Sequence, residues 1–384
     1  MLPLVLAPAL ALAAATAGPP RARIPAGVPM GTLLSLSSDG EVGFLPEHDV
    51  QPFNALLVTR AAVPCDEVAR AMMDVENYPS RFNVKRAHIL ERSERAVRYE
   101  LELGIIFAPR VPGHVSRNVR DQVIYNDLET GAQFIWTLKD LPQGCAMTYS
   151  MVETPGKASG WVAVVRTLEA SAVDAANFAA GLSSARGFTK PEDGHVGVVR
   201  PEDERALGEL ARHGTALHVR RAAGLFPVVV TRRVIDRPLE AVRASIEDRA
   251  RYGDAVTVVK RARAQGTNAS YDLAAFGGRV RIDTAVDARD DDASGAFTLT
   301  ERVTGGDVPA ASGYWIWQLR PVTGGTDVQL TWALDITAGS ALLDAMARTD
   351  PMARESLALH MALSLMGRVV GGTPLGAPTL AQLP

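Results

Sequence analysis

Chemistry in a polar active centre needs titratable groups held close together, and this chain offers few obvious sets. Its histidines are His48, His88, His114, His195, His213, His218 and His360. None forms H-E-x-x-H and none pairs with cysteine at zinc-ligand spacing, so no metal site is expected. There is no G-x-S-x-G, no P-loop and no G-x-G-x-x-G, so neither a nucleophile elbow nor a nucleotide cradle is expected, and no cofactor is called for. Glu100 and Glu102 stand two apart on one strand face, a spacing that suits acid–base work. Arg98 shares that face, so a solvated outer face is the simpler reading. Asp74 and Asp248 recur just after a helix in each half. They read either as polar groups at a cavity mouth or as side chains that cap the following turn. No catalytic residue is assigned.

The stronger candidates are large apolar side chains that suit the wall of a ligand cavity. On the strands these are Tyr99, Leu101, Leu103, Trp136, Tyr149, Trp315, Trp317, Leu330 and Trp332. On the helices they are Trp161, Val165, Leu168, Leu357 and Met361. Aromatic rings supply apolar wall with a polar handle, and methionine adapts to varied shapes. The same residues also suit an ordinary core, and the fold decides between the two.

The elements that must position them come in two copies. Val58-Thr59-Arg60 recurs as Val230-Thr231-Arg232. Pro64, Val68, Asp74 and Tyr78 fall on Pro238, Val242, Asp248 and Tyr252, and Ile135-Trp136-Thr137-Leu138 falls on Ile316-Trp317-Gln318-Leu319. A period of roughly 174 residues means duplicated domains rather than a solenoid. Each copy reads as a strand, a helix opened by proline, several strands of period two, and one long helix. The first long helix is expected over about 158–182. The second is expected to start at Asp350-Pro351 and to end near Val370 before Gly371-Gly372.

That order suggests an α+β fold with a curved antiparallel sheet around a helix. In this it resembles the START-like (SRPBCC, helix-grip) superfamily. Asp74-Val75-Glu76-Asn77-Tyr78-Pro79 is similar to the D-V-x-x-Y-P stretch of its coenzyme Q-binding and polyketide-cyclase branch. The second half keeps Asp248 and Tyr252 but has Gly253 where the first has Pro79. The resemblance covers about 54–184 and 227–371. It implies two tandem helix-grip domains, each a curved antiparallel sheet wrapped around a long C-terminal helix and binding a lipid, sterol, quinone or polyketide-like molecule. Fold alone does not fix function, so a cofactor-free cyclase or hydrolase and a non-catalytic scaffold with filled cavities stay open.

The division that follows is a signal peptide at 1–17, domain 1 at 54–184, a charged linker with a short helix at 185–226, domain 2 at 227–371, and a disordered tail at 372–384. Leu2–Ala17 is uncharged and apolar and ends in Ala15-Thr16-Ala17, although no basic residue precedes it. A periplasmic or secreted protein is therefore expected. Cys65 and Cys145 sit at strand ends that should meet, either as a disulfide or as two thiols. The formal net charge is −3, from 40 basic and 43 acidic residues. No strong field favours nucleic acid. The expected partner is a hydrophobic small molecule, with transient membrane or partner-protein contact left open.

Overall fold

The computed structural model describes residues 30–153 and 201–370, apart from short breaks at 38–39, 47–53, 62, 82–83, 104–109, 121, 129–131, 221–227, 256–258, 276–277, 311 and 350–352. The first half contains α1 (Met30–Leu36), β1 (Gly40–Pro46), β2 (Asn54–Ala61), α2 (Cys65–Met73), α3 (Tyr78–Arg81), β3 (Val84–Arg92), β4 (Ala96–Leu103), β5 (Arg110–Asn118), β6 (Val123–Leu128), β7 (Ala132–Leu141) and β8 (Gly144–Glu153). The second contains α4 (Pro201–Ala211), β9 (Gly214–Arg220), β10 (Val228–Ile235), α5 (Leu239–Glu247), α6 (Tyr252–Ala255), β11 (Val259–Gln265), β12 (Asn268–Ala275), β13 (Gly278–Asp291), β14 (Ala296–Gly306), β15 (Gly313–Val322), β16 (Gly325–Leu334), α7 (Ala341–Thr349) and α8 (Ala353–Val370).

The expectation of two tandem helix-grip domains is corrected here. All strands among the described residues join one antiparallel sheet of 16, in the order β11-β12-β13-β14-β15-β16-β10-β9-β1-β2-β8-β7-β6-β5-β4-β3. What closes the two halves into one sheet is β1 paired with β9, in register from Gly40↔Arg220 to Pro46↔Gly214. The backbone groups that β2 and β10 would leave unpaired are thereby used in the ladder. Residues read as part of a charged linker therefore form α4 and the middle strand β9. The helix expected over 158–182 and the Asp350-Pro351 cap lie outside the described residues. α8 ends at Val370.

The repeat extends upstream of the part that sequence reading found. Leu33, Leu36 and Gly40 fall on Leu207, Leu210 and Gly214, so α1–β1 and α4–β9 are a duplicated unit. These units meet at the centre of the sheet. Leu33, Leu36, Val42, Phe44, Leu56, Val58, Leu207, Leu210 and Ala216 form one buried cluster there. Strand alternation divides the neighbouring residues between the two faces. Leu57 packs in the first-half core. Leu217, Val219 and Val229 pack in the second-half core. The repeated arginines dock the helices onto this seam. Arg60 donates to Leu34 O and Ser37 Oγ. Arg232 donates to Glu204 O at 2.8 Å and forks onto Asp327.

α2 buries Cys65, Val68, Ala69 and Met72, the i, i+3, i+4, i+7 face of an amphipathic helix. α5 does the same with Val242 and Ile246. The sheet's outer edges, β3 and β11, expose Lys85, Arg86 and Arg92, and Lys260, Arg261 and Arg263. Charged edge residues discourage edge-to-edge pairing with another chain. The matched Gly144 and Gly325 stand at φ 132° and 143°, a turn geometry that residues with a Cβ avoid.

Candidate functional site

The inner face of the second half carries an aromatic row. Tyr252 of α6 stacks on Tyr271 of β12, with centroids 5.8 Å apart at 24°. Tyr271 meets Trp315 of β15 edge-on at 5.8 Å. Trp315 stacks on Trp332 of β16 at 5.1 Å and 19°. The register Trp315↔Trp332 places the last two side by side on one face. With Val259, Leu273, Ile282, Met361 and Leu365 these rings enclose a small cavity. Its volume is about 10 Å³, room for about one water. Met361 and Leu365 close it from α8. The end of that helix is tied to the corner before α5, where Arg237 donates to Val369 O at 3.1 Å.

Beside the row lies a carboxylate that sequence reasoning missed. Glu301 of β14 is 0 % exposed. Its Oε2 accepts from Tyr271 Oη at 2.8 Å and from Thr284 Oγ1 at 3.1 Å. Burial pushes its pKa up to about 7, against the opposing pull of the Tyr271 hydrogen bond, the Arg249 charge and the contacts from Thr284 and Trp315. The Tyr271 hydroxyl is driven well above its usual value, first by burial and then by the neighbouring Glu301 charge. The missed signal was in the strand period. Phe297, Leu299, Glu301 and Val303 alternate along β14, which puts the glutamate among inward residues.

The first half repeats this arrangement in neutral form. Tyr99 of β4 occupies the place of Tyr271 and donates to Asn126 Oδ1 at 2.6 Å. Asn126 pairs with Phe134 as Glu301 pairs with Trp315. The Tyr78 ring meets Tyr99 edge-on at 6.3 Å, where Tyr252 instead stacks on Tyr271. Arg249, whose charge acts on Glu301, is matched by the fully buried Val75. The halves thus differ at both positions together: Arg and Glu in the second, Val and Asn in the first. Gly113 lies under Tyr99, and a Cβ there would stand 2.6 Å from the ring. Gly113→Ala is expected to cost about 2 kcal/mol as overpacking, read as a lower urea midpoint. An unchanged midpoint would mean that the Tyr99 ring has another seat.

The candidate wall residues are distributed as follows. Tyr99, Leu101 and Trp136 are buried in the first-half core. Trp315, Trp317, Leu330, Trp332, Leu357 and Met361 are buried in the second. Of these last six, Trp315, Trp332 and Met361 border the cavity, while Trp317, Leu330 and Leu357 pack elsewhere in the same core. Leu103 and Tyr149 lie on β4 and β8 with side chains outside the described set. Trp161, Val165 and Leu168 lie outside the described residues. Cys65 and Cys145 are joined by a disulfide, with Cα atoms 4.8 Å apart. The other polar candidates have plainer roles. Glu102 pairs with Lys85 at 2.9 Å, which holds its carboxyl below the usual value, and Glu100 pairs with Arg110 at 3.4 Å. Asp74 accepts from Asn77 Nδ2 at 2.8 Å within its own turn. His88 is exposed on β3.

No family model and no curated protein matches the sequence. Among solved structures, the chain is similar to the di-domain ARO/CYC StfQ from the steffimycin biosynthetic pathway, at 14% identity and TM-score 0.28. That likeness covers 81% of this chain and 99% of that one. It is also similar to a STAR-related lipid transfer protein from Xanthomonas axonopodis, at 15% identity and TM-score 0.32, covering 40% and 93%. A third likeness is to the Zhui aromatase/cyclase from Streptomyces sp. R1128, at 15% identity and TM-score 0.28, covering 33% and 93%.

Proposed function

We propose that the protein binds an apolar small molecule on the inner face of its second half, against Tyr252, Tyr271, Trp315 and Trp332. The observation that carries this reading is the aromatic-walled cavity with a buried, incompletely bonded carboxylate behind its wall. A buried polar group without its partner costs on the order of 1–3 kcal/mol, and a protein that only needed a core gains nothing by keeping one. A ligand larger than a water enters by displacing Met361 and Leu365, so α8 is the element that moves. The disulfide supports an oxidising compartment for this activity, and the apolar stretch Leu2–Ala17 supports export.

A second reading has its own observation. A cavity of about 10 Å³ is nearly full, as a scaffold that uses its sheet only to hold other proteins would have it. The two readings separate on one measurement. Native mass spectrometry and organic extraction of the purified protein should find a co-purifying apolar molecule at near-stoichiometric amount. If the protein is empty, tryptophan fluorescence should still respond to 2-methoxynaphthalene. An empty protein that stays silent to this probe up to its solubility limit sinks the binding reading and leaves the scaffold.

A further inference from the structure

Around Glu301, its own Oε1 and Arg249 Nη1 are buried without a hydrogen bond of good geometry among the described residues, and Trp315 Nε1 makes only a loose contact with the carboxylate. Arg249 spends its Nη2 on Gly266 O at 2.7 Å. Trp315 stands directly across the ladder from Glu301. Tyr271 and Trp315 belong both to the cavity wall and to the surroundings of Glu301, which sets the carboxylate directly behind that apolar wall, where a ligand reaches it by parting these two rings. The set is one acceptor with N–H donors near it. A single hydroxyl suits such a set, because its O–H donates while its lone pairs accept.

We infer that the ligand of the second half carries a hydroxyl, phenolic in class, whose O–H is received by Glu301 Oε1, and that the first half takes no such ligand. This deepens the proposed binding site and rests on it. The aromatic row favours a flat ring over an aliphatic alcohol. A phenol is also the better donor to a carboxylate, and a hydrogen bond to a charged group is stronger than a neutral one. The first half lacks the means twice over. Its Asn126 Oδ1 already accepts from Tyr99, and Val75 brings no charge where Arg249 stands.

The groups that face the carboxylate set its charge. They are Arg249 from the turn before α6, Tyr271 from β12, Thr284 from β13 and Trp315 from β15, with Tyr252 stacked behind Tyr271. With Glu301 held near neutrality, the acceptor is mostly protonated at pH 5.5 and mostly ionised at pH 8.5. Preference for an O–H donor should therefore rise across that range.

The test compares 2-naphthol with 2-methoxynaphthalene, which has the same rings and no O–H, by tryptophan fluorescence titration of the full chain at both pH values. The ratio of dissociation constants should favour naphthol about tenfold more at pH 8.5 than at pH 5.5. Glu301→Gln and Arg249→Val, each first shown folded by near-UV circular dichroism, should lose this gain while still binding 2-methoxynaphthalene. Equal binding of the two probes at both pH values overturns the hydroxyl inference and leaves the binding site standing. A naphthol preference that survives unchanged in Glu301→Gln overturns it as well, since the donor then goes elsewhere. Failure of both probes removes the binding reading itself, and the inference with it.

Discussion

Replacing Cys65 and Cys145 together by alanine is expected to lower the unfolding free energy of the first half by about 4 kcal/mol. The two residues are 80 positions apart, and in the chain-entropy model a cross-link over a loop of that length removes about that much from the unfolded ensemble. Alanine is the right substitution, because both sites are essentially closed to solvent and a serine hydroxyl would add a desolvation cost. The bridge fastens the end of β2 to the start of β8, where Ala61 pairs with Cys145. The second half holds the same corner without it. Ile235 pairs with Thr326, and Thr326 Oγ1 donates to Arg237 O at 2.8 Å. Urea unfolding of the double variant should therefore lower the first-half transition far more than the second, and a reductant should reproduce the shift in the wild type. A loss under about 1 kcal/mol would mean that the reduced chain already holds the β2–β8 corner together when unfolded. A uniform loss across both halves would mean that the continuous sheet unfolds as one unit.

Sequence reading reached the repeat, the strands of period two and the apolar residues that line each inner face, because those follow from alternation along a half-buried sheet. It failed at the centre of the molecule. Thr215, Ala216, Leu217, His218 and Val219 are all buried, since helices cover one face of β9 and the second-half core covers the other. A strand buried on both sides shows no alternation, and this one follows the charged stretch of α4, so it read as linker. The same loss of signal hid β1, where Gly43 sits directly against Leu217. With these two strands unread, the halves looked separable, and two separate domains were the natural expectation. The carboxylate was missed for the opposite reason. Glu301 does sit in a clear alternation, but a glutamate at an inward position conflicts with the burial rule, and such a conflict is where function is to be sought.

Glu301 should also make the protein lose stability as pH rises from about 4.5 to about 7, the reverse of the usual carboxylate. Burial raises its carboxyl to about 7 when folded, against 4.5 for an ordinary glutamate. Between those values the folded state binds the extra proton. Stability then falls with increasing pH, since its slope follows the protons bound in the unfolded state minus those bound in the native state. The contribution is whole below about pH 4.5 and gone above about pH 7. At 1.36 kcal/mol per pH unit it amounts to on the order of 3 kcal/mol. Carboxylates outside the core such as Glu102 and Asp291 shift in the other direction, so the raw profile mixes both signs. Glu301→Gln separates them. The amide oxygen still accepts from Tyr271 and Thr284, and it carries no charge at any pH. The stability of the variant relative to wild type should rise by on the order of 3 kcal/mol between pH 4.5 and pH 8, with most of the rise below pH 7. A difference that stays flat within about 0.5 kcal/mol would show that Glu301 ionises without penalty. That result requires water at Oε1, and a carboxylate already solvated in the empty site has no need of a ligand hydroxyl.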